Sequence, residues 1–248
     1  LVRPMIEKGF ALSVMGNHEF NAICYGTLGC DGQPLREHSI GKKKQHDAFL
    51  NAYPNDDERN NIIEWFKALP VYLEVDGIRV IHASWNEHEL EVIAPLLDDN
   101  QCLREEAYEQ CSQKGEDAFE AIEILLKGPE AKLPEGVSFT DKDDKVRHNS
   151  RIQWWKDKNS DKRERLHFGS NITDEHKIEQ TYIDDSHHYH EDHPPLFVGH
   201  YWLDDEMPTP LSDNSACLDY SIAKKGKLVA YRWQGEKTLK ESNFVWCE

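Results

Sequence analysis

The stretch Val14-Met15-Gly16-Asn17-His18-Glu19-Phe20 decides how the rest of this chain is interpreted. An apolar run over residues 10–15 ends at Gly16, three polar residues follow, and an amphipathic segment then begins. This pattern predicts a strand, a tight turn and a helix that starts over residues 17–25. Loops at strand ends often carry function because the sheet fixes their position. Taken alone, the stretch fits a functional turn and an ordinary Asn-capped helix equally well.

Composition restricts the class of protein. The 248 residues carry a formal net charge of −17, yet they include seven Trp, nine Tyr and nine Phe. The aromatic content indicates a folded chain, and the acidic surface makes nucleic acid an unexpected partner. No apolar run is long enough to cross a bilayer, so no membrane partner is expected. The six cysteines lack Cys-x-x-Cys spacing and no signal-peptide pattern precedes them, so reduced thiols and a cytoplasmic location are expected.

Hydrophobic periodicity predicts an α/β chain. Leu1, Val2, Met5 and Ile6 stand at helical spacing, and residues 117–127 form the clearest amphipathic helix. Asp76-Gly77 between two apolar runs is typical of a two-residue hairpin. Further strands are predicted over residues 196–198, 216–221, 228–233 and 244–246, the last at a sheet edge.

The pattern changes in the middle of the chain, where charges crowd and apolar runs shorten. We therefore predict that residues 100–193 form an insertion or cap. Residues 1–99 and 194–248 then form the main, catalytic domain.

Three short apolar strands end in residues that can bind a metal. Asn17 and His18 follow the run over residues 10–15, His82 follows residues 78–81, and His200 follows Val198 and Gly199. A single His in such a place is more often a buried core residue than a ligand. Three strand ends in one sheet meet at one edge, which favours a metal site built from nitrogen and oxygen ligands.

These residues also resemble a known family. Gly16-Asn17-His18-Glu19, then Val80-Ile81-His82-Ala83, then Gly199-His200 resemble the later sequence blocks of the calcineurin-like metallophosphoesterases, in the same order. The match is to the bacterial branch related to serine/threonine protein phosphatases. The first block is fairly specific, whereas Gly-His alone is a weak signal. The resemblance runs to about Trp233, and the middle insertion matches poorly.

The resemblance implies a fold, a cofactor and roles for the residues. The fold would be two β-sheets packed face to face and flanked by helices. Two divalent metal ions, Mn²⁺ first and Fe or Zn as alternatives, would support attack of metal-bound hydroxide on a phosphomonoester. Asn17, His82 and His200 would bind one ion, and His18 would protonate the leaving group. The substrate would be a phosphoprotein or a small phosphoester.

Five further residues are weaker candidates. Arg151 is preferred over Arg147 as a phosphate-binding guanidinium, although either could simply pack over the neighbouring Trp side chains. Glu19 could orient the site or only favour the helix N-terminus. Tyr201 could reach substrate or pack, and Asp219 could support the site or be an ordinary strand residue.

The departures from the family pattern bear on activity. The family begins with an Asp-x-His block and a Gly-Asp-x-x-Asp-Arg block, which would stand before Leu1. The N-terminal strands of the implied fold would then be missing as well. We therefore expect this chain alone to show little phosphatase activity. Two alternatives stay open: a nucleotide or dinucleoside-polyphosphate hydrolase with the same site, and a non-catalytic binding protein with one residual metal site.

Overall fold

The chain folds as a mixed α/β protein with several small sheets. The computed structural model describes residues 2–141 and 144–248, so Leu1 of the predicted first helix lies outside the described residues. The helices are α1 (Val2–Glu7), α2 (Asn17–Gly26), α3 (Ile40–Ala52), α4 (Asp56–Lys67), α5 (Glu87–Ile93), α6 (Ala107–Ser112), α7 (Asp117–Lys127) and α8 (Lys162–Arg165). The strands are β1 (Tyr72–Val75), β2 (Ile78–Ile81), β3 (Glu130–Lys132), β4 (Phe139–Thr140), β5 (Val146–Arg147), β6 (Asn149–Ile152), β7 (Leu166–His167), β8 (Leu196–Val198), β9 (Ser215–Cys217), β10 (Asp219–Tyr220), β11 (Lys227–Tyr231) and β12 (Phe244–Cys247). Within the described part of the chain, no helix is both long and apolar enough to cross a membrane.

A four-stranded sheet in the order β1-β2-β8-β9 positions the candidate site. Strands β1 and β2 form an antiparallel hairpin whose turn residues Asp76 and Gly77 both have positive φ, at 53° and 86°. Such a turn matches the natural twist of a hairpin, and the predicted hairpin is confirmed. Strands β2, β8 and β9 run parallel, with Val80 opposite Phe197 and Val198 opposite Cys217.

The strand predicted over residues 216–221 divides between two sheets. Strand β9 pairs with β8, whereas β10, which begins two residues later at Asp219, pairs antiparallel with β11 in the sheet β10-β11-β12. The division falls at Leu218, whose N–H still donates to the Val198 carbonyl at 2.8 Å. Periodicity cannot report this change, because both halves remain extended. The predicted edge strand near residue 245 is confirmed as β12.

The predicted strand over residues 10–15 is not formed, which corrects the sequence interpretation. Its apolar side chains Phe10 and Leu12 are 78% and 65% exposed. The Phe10 N–H donates locally to the Met5 carbonyl at 2.9 Å, and the Met15 N–H donates to the distant Pro70 carbonyl at 2.7 Å. A strand needs a continuous ladder with a neighbour, and a single contact does not make one.

The amphipathic helices α4 and α7 pack on the main apolar core. Helix α7 buries Ala121, Ile122 and Leu125 at helical spacing, as predicted. Asn55 is the N-cap of helix α4. Its side chain accepts from the N–H groups of residues 57 and 58. In each case, local chemistry defines the helix and tertiary packing stabilises it.

Side chains of the middle region belong to two apolar clusters. Tyr108, Leu125 and Trp154 lie in the main cluster together with Met15 and Val198. A second, smaller cluster contains residues from Ala131 to Ile183. The short sheets β3-β6-β7 and β4-β5 lie in the same region of the chain. The division into a catalytic domain and a cap at residue 100 stays a prediction.

Candidate metal and phosphate site

Two neighbouring parallel strands bring His82 and His200 together. Each histidine follows its strand directly or by one residue, and Gly199 N–H donates to the His82 carbonyl at 2.8 Å, which extends the ladder to the strand ends. The imidazole ring centroids are 5.1 Å apart, and the ring planes are inclined at 66°. The convergence of these strand ends follows from the parallel pairing of β2 and β8.

Helix α2 adds Asn17 to the two histidines. Its cap is Gly16 rather than Asn17, so the Asn17 side chain is not used for capping. Instead the Asn17 Oδ1 lies 3.0 Å from the Nε2 atom of His82. The structure therefore brings Asn17, His82 and His200 into one group.

Gly16 is required by the close approach of the site to the backbone. A Cβ atom at this position would lie 2.5 Å from the Glu19 Oε2 and 3.1 Å from the Cε1 atom of His82. The Glu19 carboxylate accepts from the Gly16 N–H at 3.1 Å. Glu19 thus serves the first turn of α2, where a carboxylate also interacts favourably with the helix dipole.

The backbone at His200 is left-handed, with φ of 69°. The Tyr201 N–H donates to the Gly199 carbonyl at 2.8 Å, so His200 is the central residue of a tight three-residue turn. Such a conformation is uncommon outside glycine and costs free energy, which is often found at functional sites. The turn places the side chain of His200 beside His82, and its Nε2 is buried without a hydrogen-bond partner.

Both imidazoles are held in the neutral form. Burial, followed by the charges of His18 and Arg151, lowers the pKa of His82 to about 4. Burial and the nearby Arg151 charge lower the pKa of His200 to about 2. A neutral imidazole nitrogen is the form that binds a metal.

The donor set fits a divalent ion of borderline softness. Neutral imidazole nitrogens and an amide oxygen suit Mn²⁺, Fe²⁺ or Zn²⁺, and the unpaired Nε2 of His200 is a buried donor that such an ion would satisfy. Residues 2–141 and 144–248 contain no group of three or more His, Cys, Asp or Glu side chains that could hold a metal. Among these residues the candidate ligands are therefore the two histidines and Asn17.

His18 and Arg151 are the two other predicted site residues that act on the histidines. His18 is exposed at the start of α2, and Arg151 is half-buried in β6. Both act electrostatically on His82 and His200. The Arg151 guanidinium makes no hydrogen bond or ion pair with another described residue, so its donors are available to a phosphate group.

Arg147 and Tyr201 are occupied by protein contacts. The Arg147 guanidinium pairs with Asp141 at 2.6 Å in the separate β4-β5 sheet. The Tyr201 side chain is 7% exposed, and its hydroxyl accepts from the Trp154 indole N–H at 2.7 Å. A Cβ atom at Gly128 would collide with the same hydroxyl. These contacts indicate that Tyr201 packs inside the protein.

Asp219 supports the backbone beside the site. Its carboxylate accepts from the Ser221 N–H at 3.0 Å, and its carbonyl accepts from the Leu203 N–H at 2.9 Å. Its Cβ lies 3.7 Å from the position that a Cβ on Gly199 would occupy. Asp219 therefore borders the strand end that carries His200.

Sequence reasoning missed Lys127, the last residue of α7. Its positive charge contributes to the lowered pKa of His200, and its ammonium is ion-paired with Glu123. A lysine at a helix C-terminus has an ordinary explanation in the helix dipole, so spacing alone carries no signal of this role. Only the return of α7 to the sheet, where the Ala83 N–H donates to the Leu125 carbonyl at 3.2 Å, brings it to the site.

A cavity with an acidic lining lies elsewhere in the chain. It has a volume of about 460 Å³ and is lined by side chains of the middle region, including Asp161, Glu175 and Glu179. None of its lining residues belongs to the group around His82. Its acidic lining repels phosphate, so it is not a candidate for the predicted substrate.

No protein-family model matches the chain, and no curated protein matches it at a significant level. Family membership therefore stays a prediction. It rests on the three sequence blocks and on the geometry that they adopt.

Proposed function

We propose that this protein is a metal-dependent phosphoesterase that hydrolyses phosphomonoesters, phosphoserine and phosphothreonine in proteins included. The observation that carries the proposal is the meeting of Asn17, His82 and His200 at the ends of one helix and two parallel strands. These three residues belong to separate parts of the sequence, and successive members are 65 and 118 positions apart along the chain. Their contact in space is what a metal site requires.

Each residue of the site has a part in the proposed reaction. Asn17, His82 and His200 would hold a divalent ion, with Mn²⁺ as the first choice, and such an ion would supply positive charge that polarises the phosphoryl oxygens. Arg151 donates to two of those oxygens, since a guanidinium matches phosphate geometry. A water oxygen would bond to phosphorus as the ester P–O bond breaks, and His18, exposed beside the group, would donate a proton to the leaving oxygen.

The finer description of the fold is part of the same proposal. We infer that the sheets β1-β2-β8-β9 and β10-β11-β12 form a two-layer sandwich flanked by helices. One apolar cluster supports this arrangement, because it combines Phe197 and Ala216 of the first sheet with Tyr220, Val229 and Phe244 of the second. A cytoplasmic location is proposed with it, supported by six cysteines that are all unpaired.

Metal binding by this chain is the first test. Titration with Mn²⁺, followed by electron paramagnetic resonance, is expected to show a saturable site that is lost in His82→Ala and in His200→Ala. The exposed His176→Ala is the matched control and should bind normally. Equal binding by all four proteins would refute the site.

Turnover by the Mn²⁺-loaded protein is the second test. Manganese-dependent hydrolysis of para-nitrophenyl phosphate and of a phosphopeptide is expected. His18→Asn should lower kcat by about 10²–10⁴-fold, as for other general acids, while Mn²⁺ affinity is kept. Loss of Mn²⁺ affinity in His18→Asn would instead make His18 a ligand.

The same assays separate the alternative functions. Preference for nucleotides or diadenosine polyphosphate over the phosphopeptide would favour the nucleotide hydrolase. Metal binding without turnover of any of these substrates would support a binding protein that retains one metal site.

A further inference from the structure

Two residues with left-handed backbone flank Tyr201. His200 has φ of 69°, and Trp202 has φ of 51°. Residues other than glycine adopt this conformation at a cost in free energy, so it persists where the surrounding structure enforces it. Of the two residues that follow His200, Tyr201 belongs to the main apolar core, whereas Trp202 is 37% exposed. The Tyr201 side chain is therefore the group that can hold this turn in place.

Contacts from three directions fix the Tyr201 ring. The Trp154 indole N–H donates to the Tyr201 hydroxyl at 2.7 Å. The Trp155 ring meets the Tyr201 ring edge-on, with centroids 4.9 Å apart and planes inclined at 80°. The backbone of Gly128 approaches so closely that a Cβ atom there would lie 3.2 Å from the Tyr201 Cζ. Movement of the ring would break at least one of these contacts.

The hydrogen bond between Trp154 and Tyr201 joins two parts of the proposed site. Trp154 lies three residues after Arg151, the candidate phosphate ligand, which belongs to β6. Tyr201 directly follows His200, the candidate metal ligand. Trp154 is itself held firmly, because it is 2% exposed and its carbonyl accepts from the His188 Nδ1 at 3.0 Å. The segment that carries Arg151 is thus bonded to the turn that carries His200.

Tyr189 shows what a buried tyrosine of this core looks like without such a turn. It is 4% exposed, and its ring packs against Trp154 with centroids 6.2 Å apart. Its hydroxyl donates to the Pro194 carbonyl at 2.7 Å. Its neighbours in the chain, His188 and His190, do not have positive φ. Tyr189 and Tyr201 therefore share burial, a hydrogen bond and a contact with Trp154, and they differ in the backbone beside them.

We propose that Tyr201 is a positioning residue for His200, because its hydrogen bond with Trp154 holds the strained turn and keeps the His200 imidazole beside His82. The inference rests on the proposed function in one respect, since it takes His200 as a ligand of the divalent ion. In this role Tyr201 touches neither the ion nor the substrate. Without its hydroxyl, the turn relaxes and the imidazole of His200 moves away from His82. The metal site is then weakened although Asn17 and both histidines remain.

Nuclear Overhauser contacts between the His82 and His200 rings test the positioning without any metal. The ring centroids are 5.1 Å apart, so the native protein in EDTA should show cross-peaks between their protons. Tyr201→Phe is expected to lose these cross-peaks. Tyr189→Phe is the matched control and should keep them, because it also removes a buried hydroxyl beside Trp154.

Mn²⁺ affinity supplies the second readout, measured by electron paramagnetic resonance. Tyr201→Phe should raise the Kd for Mn²⁺ about 10–100-fold, as is typical when a residue that orients a metal ligand is changed. Tyr189→Phe should leave the Kd unchanged. Urea denaturation should show a similar loss of stability in both variants, because each loses one hydrogen bond of 2.7 Å.

A double variant separates positioning from stability. Tyr201→Phe leaves the Trp154 indole N–H buried without a partner, and adding Trp154→Phe removes this orphaned donor. The double variant should therefore regain stability relative to Tyr201→Phe. Its Mn²⁺ affinity should stay low, since the bond that holds the turn is still absent.

Three results would overturn the proposal. The cross-peaks between His82 and His200 persist in Tyr201→Phe, or both tyrosine variants weaken Mn²⁺ binding equally, or the double variant recovers Mn²⁺ affinity together with stability. A native protein that binds no Mn²⁺ would instead defeat the proposed function alone. The cross-peaks in EDTA decide the positioning of His200 independently.

Discussion

Replacing Gly16 by alanine should damage the fold and the proposed metal site together. The new Cβ would lie 2.5 Å from the Glu19 Oε2 and 3.1–3.2 Å from two atoms of the His82 ring. The backbone of Gly16, with φ of −100° and ψ of 170°, is accessible to alanine, so the effect is steric. The Glu19 carboxylate must move, which breaks its hydrogen bond to the Gly16 N–H.

The expected cost combines two terms. Forcing a methyl group into a packed site costs about 1–3 kcal/mol, and losing the carboxylate contact at the helix start costs about 1 kcal/mol. Because Glu19 can partly relax, we expect the free energy of unfolding to fall by about 2 kcal/mol. Urea denaturation measures this change directly. The displaced His82 ring should also weaken Mn²⁺ binding.

Two further variants separate the causes. Gly41 lies in α3 with nothing within 4 Å of its Cβ position, so Gly41→Ala should stabilise the protein by about 0.5–1 kcal/mol. Glu19→Ala combined with Gly16→Ala removes the tightest contact, and it should recover stability relative to Gly16→Ala alone. A Gly16→Ala protein as stable as the native one would refute the reasoning.

Three other measurements follow from the structure. Burial lowers the pKa of His46 to about 4, below the ordinary value of 6.5, so the unfolded chain binds more protons between these pH values. Stability should therefore decrease as the pH falls from 6.5 towards 4, and His46→Gln should reduce this slope by up to about 1.4 kcal/mol per pH unit in urea titrations. Trp154→Phe removes the buried donor to the Tyr201 hydroxyl and should cost about 1–3 kcal/mol, whereas adding Tyr201→Phe should restore part of the loss in thermal melts. Ellman's reagent should modify Cys30 and Cys247, the two exposed thiols, in the native protein and all six after unfolding; early reaction of a third thiol would contradict the burial of the others.

Local features of the fold follow from the sequence with little ambiguity. The Asp76-Gly77 hairpin forms because its two residues tolerate positive φ. Helix α7 forms where apolar residues recur every three or four positions between an acidic start and a glycine. Both depend on neighbours along the chain, which a sequence pattern records.

Features that depend on distant partners do not follow in the same way. The run over residues 10–15 has strand composition, but strand formation depends on a neighbour that composition does not identify. The grouping of Asn17, His82 and His200 could be expected from three strand ends, although one of those strands did not form. The left-handed backbone at His200 and the charge that Lys127 adds to the site have no local signal.

The passage of the chain from β9 to β10 has a consequence for how the protein opens. Cys217 and Asp219 are two residues apart, yet each is paired in a different sheet. Unfolding of this segment in one sheet would disrupt the strand pairing of the other sheet. The two sheets should therefore behave as one cooperative unit in native-state hydrogen exchange. Amides of β8 and of β11 should then exchange with the same opening free energy. Fluctuations that open the second sheet would release His200, two residues beyond β8, at the same moment.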